Sequence, residues 1–146
     1  MYASLDDISS WLRDDRLSVN DANSKQPNID AGRIIRARLS GVFAPAVLSS
    51  WDAPATTPEM VRSIAGRLAA AYLLRQLNST EGNSEIAAYA MELWTDAMGI
   101  LNDIRIGNTT VVDENNDPID TTGSNLISFW PDNTTSPLFS VSDVFS

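Results

Sequence analysis

The chain has 146 residues, 43% of them hydrophobic and 20% charged, with no Cys and no His. This is one domain's length with ordinary globular usage, which excludes a collagen-like or wholly disordered chain; the absent residue types remove disulfides, thiolate metal sites, Cys nucleophiles and the commonest general base. The net charge of −9 is uneven: residues 1–80 hold eight acids against nine bases, while residues 81–146 hold eleven acids and one base, Arg105.

The opening residues 1–7 lack the basic and apolar regions of a secretory signal. No apolar run approaches the roughly 20 residues of a membrane span. Ser4 precedes Leu5, Ile8, Trp11 and Leu12. That spacing predicts a helix over 5–13, with Ser4 as cap and Asp6 and Asp7 at its positive end. Residues 14–28 are polar, lead into Pro27 and read as a loop. Asp30 then caps a helix over 31–43 whose apolar residues are Ile34, Ile35, Leu39, Val42 and Phe43. Residues 44–57, with Pro45 and Pro54, read as a loop anchored by Trp51.

The third helix, 58–77, has the clearest start: Thr57 as cap, Pro58 in the first position and Glu59 in the first turn. Val61, Ile64, Ala65, Leu68 and Tyr72 form its face. The alanines at 65 and 69–71 let neighbours approach, which makes this the expected central helix. After a polar turn at 78–83, Ser84 caps a fourth helix, 85–106, with the stripe Ile86, Ala90, Leu93, Ala97, Ile100 (with Leu101) and Ile104, ended by Gly107. Residues 109–112 and 119–122 then read as two strands around an acidic turn. The expected fold is mainly α: a small bundle of about four helices (5–13, 31–43, 58–77, 85–106). A β-hairpin at 107–122 and an extended arm at 123–146 follow the 1–106 core.

The arm carries Phe129, Trp130, Leu138, Phe139 and Phe145, more aromatic surface than a solvating tail would hold. It is too short to build a core, so these groups dock either on the chain's own helices or on a partner. Arg33, Arg36, Arg38, Arg62, Arg67 and Arg75 pair with local acids, or they meet the acidic half of a neighbouring copy in a head-to-tail contact. No catalytic set is legible. Asp6-Asp7 and Asp14-Asp15 are adjacent and do not face each other on a helix. The only Lys, Lys25, sits among polar residues, and no Gly-rich phosphate loop occurs. Asp113, Glu114, Asp117 and Asp120 lack the central Gly and terminal Glu of a calcium loop. Neither an enzyme nor a cofactor is expected.

Four stretches together resemble a known family. These are Tyr2-Ala3-Ser4-Leu5-Asp6-Asp7-Ile8, the Asp30-Ala31 helix with Arg33 and Arg36, Pro58-Glu59-Met60-Val61 leading through an Ala-rich helix to Tyr72-Leu73-Leu74, and Ile104-Arg105-Ile106-Gly107 before a hairpin. In this organisation residues 2–112 are similar to the head-to-tail connector, or adaptor, proteins of long-tailed bacteriophages. The resemblance rests on patterned helices, and the arm beyond Gly123 lies outside it. It implies a non-enzymatic virion protein at the head–tail neck, assembled in the host cytoplasm. Copies would form a ring, commonly of twelve, under the portal protein, extend the DNA channel and present a platform for a stopper or tail-completion protein. DNA would pass without specific binding, and no membrane is involved. On this reading Asp113, Glu114, Asp117 and Asp120 face the channel and repel DNA, Arg33, Arg36, Arg38, Arg62 and Arg67 make intersubunit contacts, and the aromatic arm docks on the portal or a neighbour.

The rival reading is a small helical DNA-binding protein of the small-terminase or repressor type. It needs a basic recognition helix, and 31–43, with three Arg, is the only candidate. A carboxylate-only helical enzyme would need acids clustered on one helix face. Helix 85–106 offers Glu92 and Asp96, four residues apart.

Overall fold

The computed structural model describes residues 2–12 and 19–121; the side chains of Thr80 and Glu81 are not among those described. The described chain is mainly helical: α1 (Leu5–Ser9), α2 (Asp21–Leu39), α3 (Pro45–Ser50), a 3₁₀ turn at Pro54–Thr56, α4 (Glu59–Glu81) and α5 (Ser84–Ile106). The long helix α4 is central, packing most extensively on α5, then on α2 and α1. Val61, Ile64, Ala65, Leu68 and Ala69–Ala71 are all buried without residual exposure. The alanines among them add little side-chain bulk on this buried face.

α1 is shorter than its apolar spacing suggested. Ser4 and Asp7 form a reciprocal capping box, and the helix ends at Ser9. Trp11 and Leu12 continue in tighter turns, each donating to the carbonyl three residues back. The start of α1 lies against α4 at Gly66, where an added Cβ would sit 2.5 Å from the carbonyl oxygen of Asp7.

The largest departure concerns α2. It begins at Asp21, ten residues before the expected start, and runs through Pro27, so much of the presumed 14–28 loop is helix. Asn20 and Asn23 cap each other reciprocally. Pro27 and the polar residues Ser24 and Asn28 face inward. Ser24 Oγ donates to the carbonyl of Asn20 at 2.7 Å. Asn28 clasps the backbone of Ala3, with Nδ2 donating to its carbonyl at 2.6 Å and Oδ1 accepting from its N–H at 3.3 Å. The buried face of this first half is therefore polar and satisfied by backbone groups, which hides it from a reading of apolar periodicity. Asp30, expected as a cap, is inside the helix and bonds Gln26 and Arg33. α2 ends at Leu39, before Val42 and Phe43.

Between α2 and α4 the expected loop contains α3, with Pro45 in its first turn. Trp51 is the anchor proposed for this stretch: it is buried, edge-on to Phe43 (centroids 5.3 Å apart) and to Tyr2 (6.3 Å). α4 starts one residue later than expected, so Pro58 is the cap position and its carbonyl accepts from Arg62 N–H at 2.9 Å. Thr57 turns its hydroxyl to the carbonyl of Ala53 instead of capping. α4 also consumes most of the presumed 78–83 turn and stops at Gly82, whose φ of 67° is the left-handed conformation glycine adopts without strain. Asn83, not Ser84, caps α5, accepting from Glu85 N–H at 2.8 Å. Ile86, Ala90, Leu93, Ala97, Leu101 and Ile104 are buried, and Ile100 is partly buried beside them.

After Gly107 no strand forms among the described residues. The expected β-hairpin is reduced to one antiparallel bridge, Val112 to Pro118, around a turn. Val111 N-terminal to the bridge is buried, and its carbonyl accepts from Ile119 N–H at 3.0 Å. Pro118 has no N–H to offer a ladder, which limits pairing at that position. The arm 123–146 lies outside the described residues, with Phe129, Trp130, Leu138, Phe139 and Phe145.

Candidate functional site

A groove of about 1130 Å³ runs along the first half of α4. One side is the 3₁₀ turn and the residues leading into α4, including Pro54 and Pro58; the other is the 109–119 segment. Met60 from α4 and Ile100 from α5 add apolar lining, and Arg62, Ser63 and Arg67 add polar groups.

The acidic turn is shaped by its own side chains. Asp113 Oδ1 accepts from the N–H groups of Asn115 (2.8 Å) and Asp117 (3.0 Å). Asn116 takes a left-handed φ of 65°, which its short polar side chain tolerates. Asp113 is thus partly structural, while Glu114, Asp117 and Asp120 are exposed. Asp113 and Glu114 line the groove. Among the described residues no group of three or more acids could hold a metal ion, and no helix is long and apolar enough to cross a membrane.

The arginines divide by environment. Arg33 bonds Asp30 one turn away at 3.1 Å, with its side chain 67% exposed, so the pair contributes little in water. Arg36 lies over the ring of Tyr2, 5.4 Å from its centroid, with Nη1 3.4 Å from the phenol oxygen. Burial pushes the Tyr2 phenol pKa up, and the Arg36 hydrogen bond and charge pull partly against it. Arg67 stacks on Trp11 at 4.4 Å and Arg75 on Trp94 at 4.7 Å. Trp94 in turn meets Tyr72 edge-on. Arg38 is exposed. Three of the six arginines therefore brace aromatic side chains within the chain, a use that charge counting could not reveal.

Arg62 and Arg67 share the groove, and the Nε of each is buried without a hydrogen-bond partner among the described residues. Leaving a buried donor unsatisfied costs about 1–3 kcal/mol. The structure therefore gathers two of the proposed intersubunit arginines and two of the proposed channel acids on one concave surface. Sequence reasoning assigned these two sets to separate surfaces. It did not single out Ser63, Met60 or Ile100 as partners of that surface; the Arg62/Arg67 pair on an Ala-rich helix was the available signal. A second hollow of about 520 Å³, beside Arg36, Leu48 and Asp52, lies on the α2–α3 side.

Comparison of the chain with known protein families, with curated proteins and with solved structures finds no match.

Proposed function

We propose that this chain is a non-enzymatic structural protein of a phage neck, an adaptor that forms a ring under the portal, joins head to tail and extends the DNA channel. One observation carries the reading: among the described residues, exposed charges of opposite sign stand on separate helices. Arg33–Asp30 is an ion pair within α2 and joins no two helices. Arg38 on α2 and Glu85, Glu92 and Asp96 on α5 are exposed and make no ion pair among the described residues. Opposite charges left on separate helices of one copy suit a repeated head-to-tail contact, which closes into a ring when the rotation fits. Arg38 is the first of the proposed intersubunit residues to test, because Arg33, Arg36 and Arg67 already have partners in their own chain. The exposed acids Glu114, Asp117 and Asp120 would face passing DNA and keep it from adhering. The aromatic arm would engage the portal or a neighbouring copy, and the opposite face of the ring would receive the stopper or tail-completion protein.

The DNA-binding alternative draws no support from α2. Arg33 and Arg36 are engaged, and Ile35 and Leu39 are core. The test is to mix the purified chain with the portal protein encoded in the same genome and image the product by electron microscopy. A closed ring of one stoichiometry seated on the portal is expected, with ring yield reduced by Arg38→Glu. A chain that never binds the portal, or that instead gives a salt-sensitive shift of duplex DNA, would overturn the proposal.

A further inference from the structure

We propose that the outer edge of residues 110–112 docks an extended, basic segment of a partner protein, which adds to it as a further strand. The hydrogen bonds around the bridge show that this edge is open. The Val111 carbonyl accepts from Ile119 N–H at 3.0 Å, and Asp113 N–H donates to the Asp117 carbonyl at 2.9 Å, so Val111 and Asp113 face inward across the turn. In an antiparallel pair the alternate residues turn their N–H and C=O groups the other way. Those residues are Thr110 and Val112, and neither makes a backbone hydrogen bond among the described residues. The opposite edge is not equivalent, because Pro118 stands there without an N–H. An unpaired edge of this kind captures extended segments through main-chain hydrogen bonds.

The surroundings of the edge set the chemistry of the partner. Thr109 and Val112 line the groove along α4, where Met60 and Ile100 supply apolar contact. Alternate side chains of an added strand fall on one face, so every second residue can reach that lining. The rim is acidic. Glu59 and Glu114 line the groove and are exposed, and Asp117 and Asp120 stand exposed on the same turn. The groove's two arginines do not offset them at the rim: both are half-buried, and the Arg67 guanidinium lies on the Trp11 ring. Charge complementarity therefore selects a segment with Lys or Arg flanking a short β-branched stretch. It disfavours a second copy paired edge to edge, which would bring another acidic turn alongside. The site goes beyond the adaptor reading and does not rest on it.

The probe is a labelled synthetic peptide, Lys-Thr-Val-Thr-Val-Lys, titrated into the full chain. Saturable binding that weakens with salt is expected, with amide exchange of Thr110 and Val112 slowed in the complex. Val112→Pro removes one outward N–H and leaves the inward bonds of Val111 and Asp113 in place. It should weaken binding at least about tenfold, since the peptide carbonyl it met is left unpaired, with helix content by circular dichroism unchanged. Glu59→Gln and Glu114→Gln leave the backbone untouched and should each weaken binding about twofold to fivefold. The counterpart Glu-Thr-Val-Thr-Val-Glu should not bind. The proposal is overturned by no binding at millimolar peptide, by equal binding of the two peptides, or by binding that leaves the Thr110 and Val112 amides as fast as before. It is also overturned if those amides are already protected in the free protein, which would put the chain itself or a second copy on the edge.

Discussion

Two glycine-to-alanine changes, at Gly66 in α4 and Gly99 in α5, should move stability in opposite directions. Both replace a glycine inside a long helix, and each gains about 1 kcal/mol of intrinsic helix propensity. At Gly99 nothing lies within 4 Å of the added Cβ, so that gain is realised. At Gly66 the Cβ would stand 2.5 Å from the carbonyl oxygen of Asp7, 3.0 Å from its carbonyl carbon and 3.3 Å from Cδ1 of Trp11. The obstacle is mainly backbone, so it cannot swing aside as a side-chain tip would. α1 must retreat by about 0.9 Å to restore ordinary contact at 3.4 Å. Overpacking of this kind costs about 1–3 kcal/mol. If α1 undocks instead, fully buried Ile8 loses a burial worth about 1.5–3 kcal/mol. The Arg67–Trp11 stack and the 2.6 Å hydrogen bond from Tyr89 Oη to the Trp11 carbonyl would loosen with it. Either route exceeds the propensity gain. Gly66→Ala is thus expected to destabilise by up to about 2 kcal/mol and Gly99→Ala to stabilise by about 1 kcal/mol. A separation of about 1–3 kcal/mol is readable by urea unfolding, and as a Tm difference at roughly 2–4 °C per kcal/mol. Amide exchange should speed up over residues 2–12 in Gly66→Ala alone. If both variants stabilise equally, α1 does not pack on α4 at Gly66 and the close approach is wrong.

Two further predictions concern the N-terminal segment. Asn28→Ala strips the donor and the acceptor from the buried backbone of Ala3 and should cost about 2–3 kcal/mol by urea unfolding, given about 1–3 kcal/mol for each unsatisfied buried group; a loss below 0.5 kcal/mol, on the order of a neutral surface change, would mean that the clasp is not formed. Tyr2 and Tyr72 both have phenol pKa values raised above 10.0, mainly by burial, with the Asp30 charge adding to the effect at Tyr72. The folded state therefore holds these protons more tightly than the unfolded chain. Their contribution is fully present below pH 10 and is lost as pH rises through the raised values. Unfolding free energies measured between pH 8 and pH 11 should fall on the alkaline side. Tyr2→Phe should flatten part of that slope, and an unchanged slope would refute the role of Tyr2.

The legible parts of the fold were those where one physical signal dominates. The α5 stripe was readable because its apolar residues recur at helical spacing and Gly107 closes it. The centrality of α4 was readable from its alanines. The first half of α2 was not, because Pro27 argued against a helix and its buried face holds Ser24 and Asn28. Those two side chains are acceptable inside only because particular backbone groups meet them there. The candidate site was visible in pieces. Arg62 and Arg67 were chosen for their charge, and Asp113 and Glu114 for theirs, but the groove they share joins residues about fifty positions apart in the chain.

Composition and periodicity by themselves determined the helical class, the central helix, the ends of α4 and α5 to within a few residues and the uneven charge. These follow from local preference and from the need of each helix to bury one stripe. Tertiary packing alone decided the remainder. It set the glycine contact that seats α1, the asparagine that pins Ala3, the stacking of three arginines on aromatic rings and the groove that two arginines line together with the acidic turn. Each of these depends on distances between segments remote in sequence, and such distances are created only when the helices close around α4.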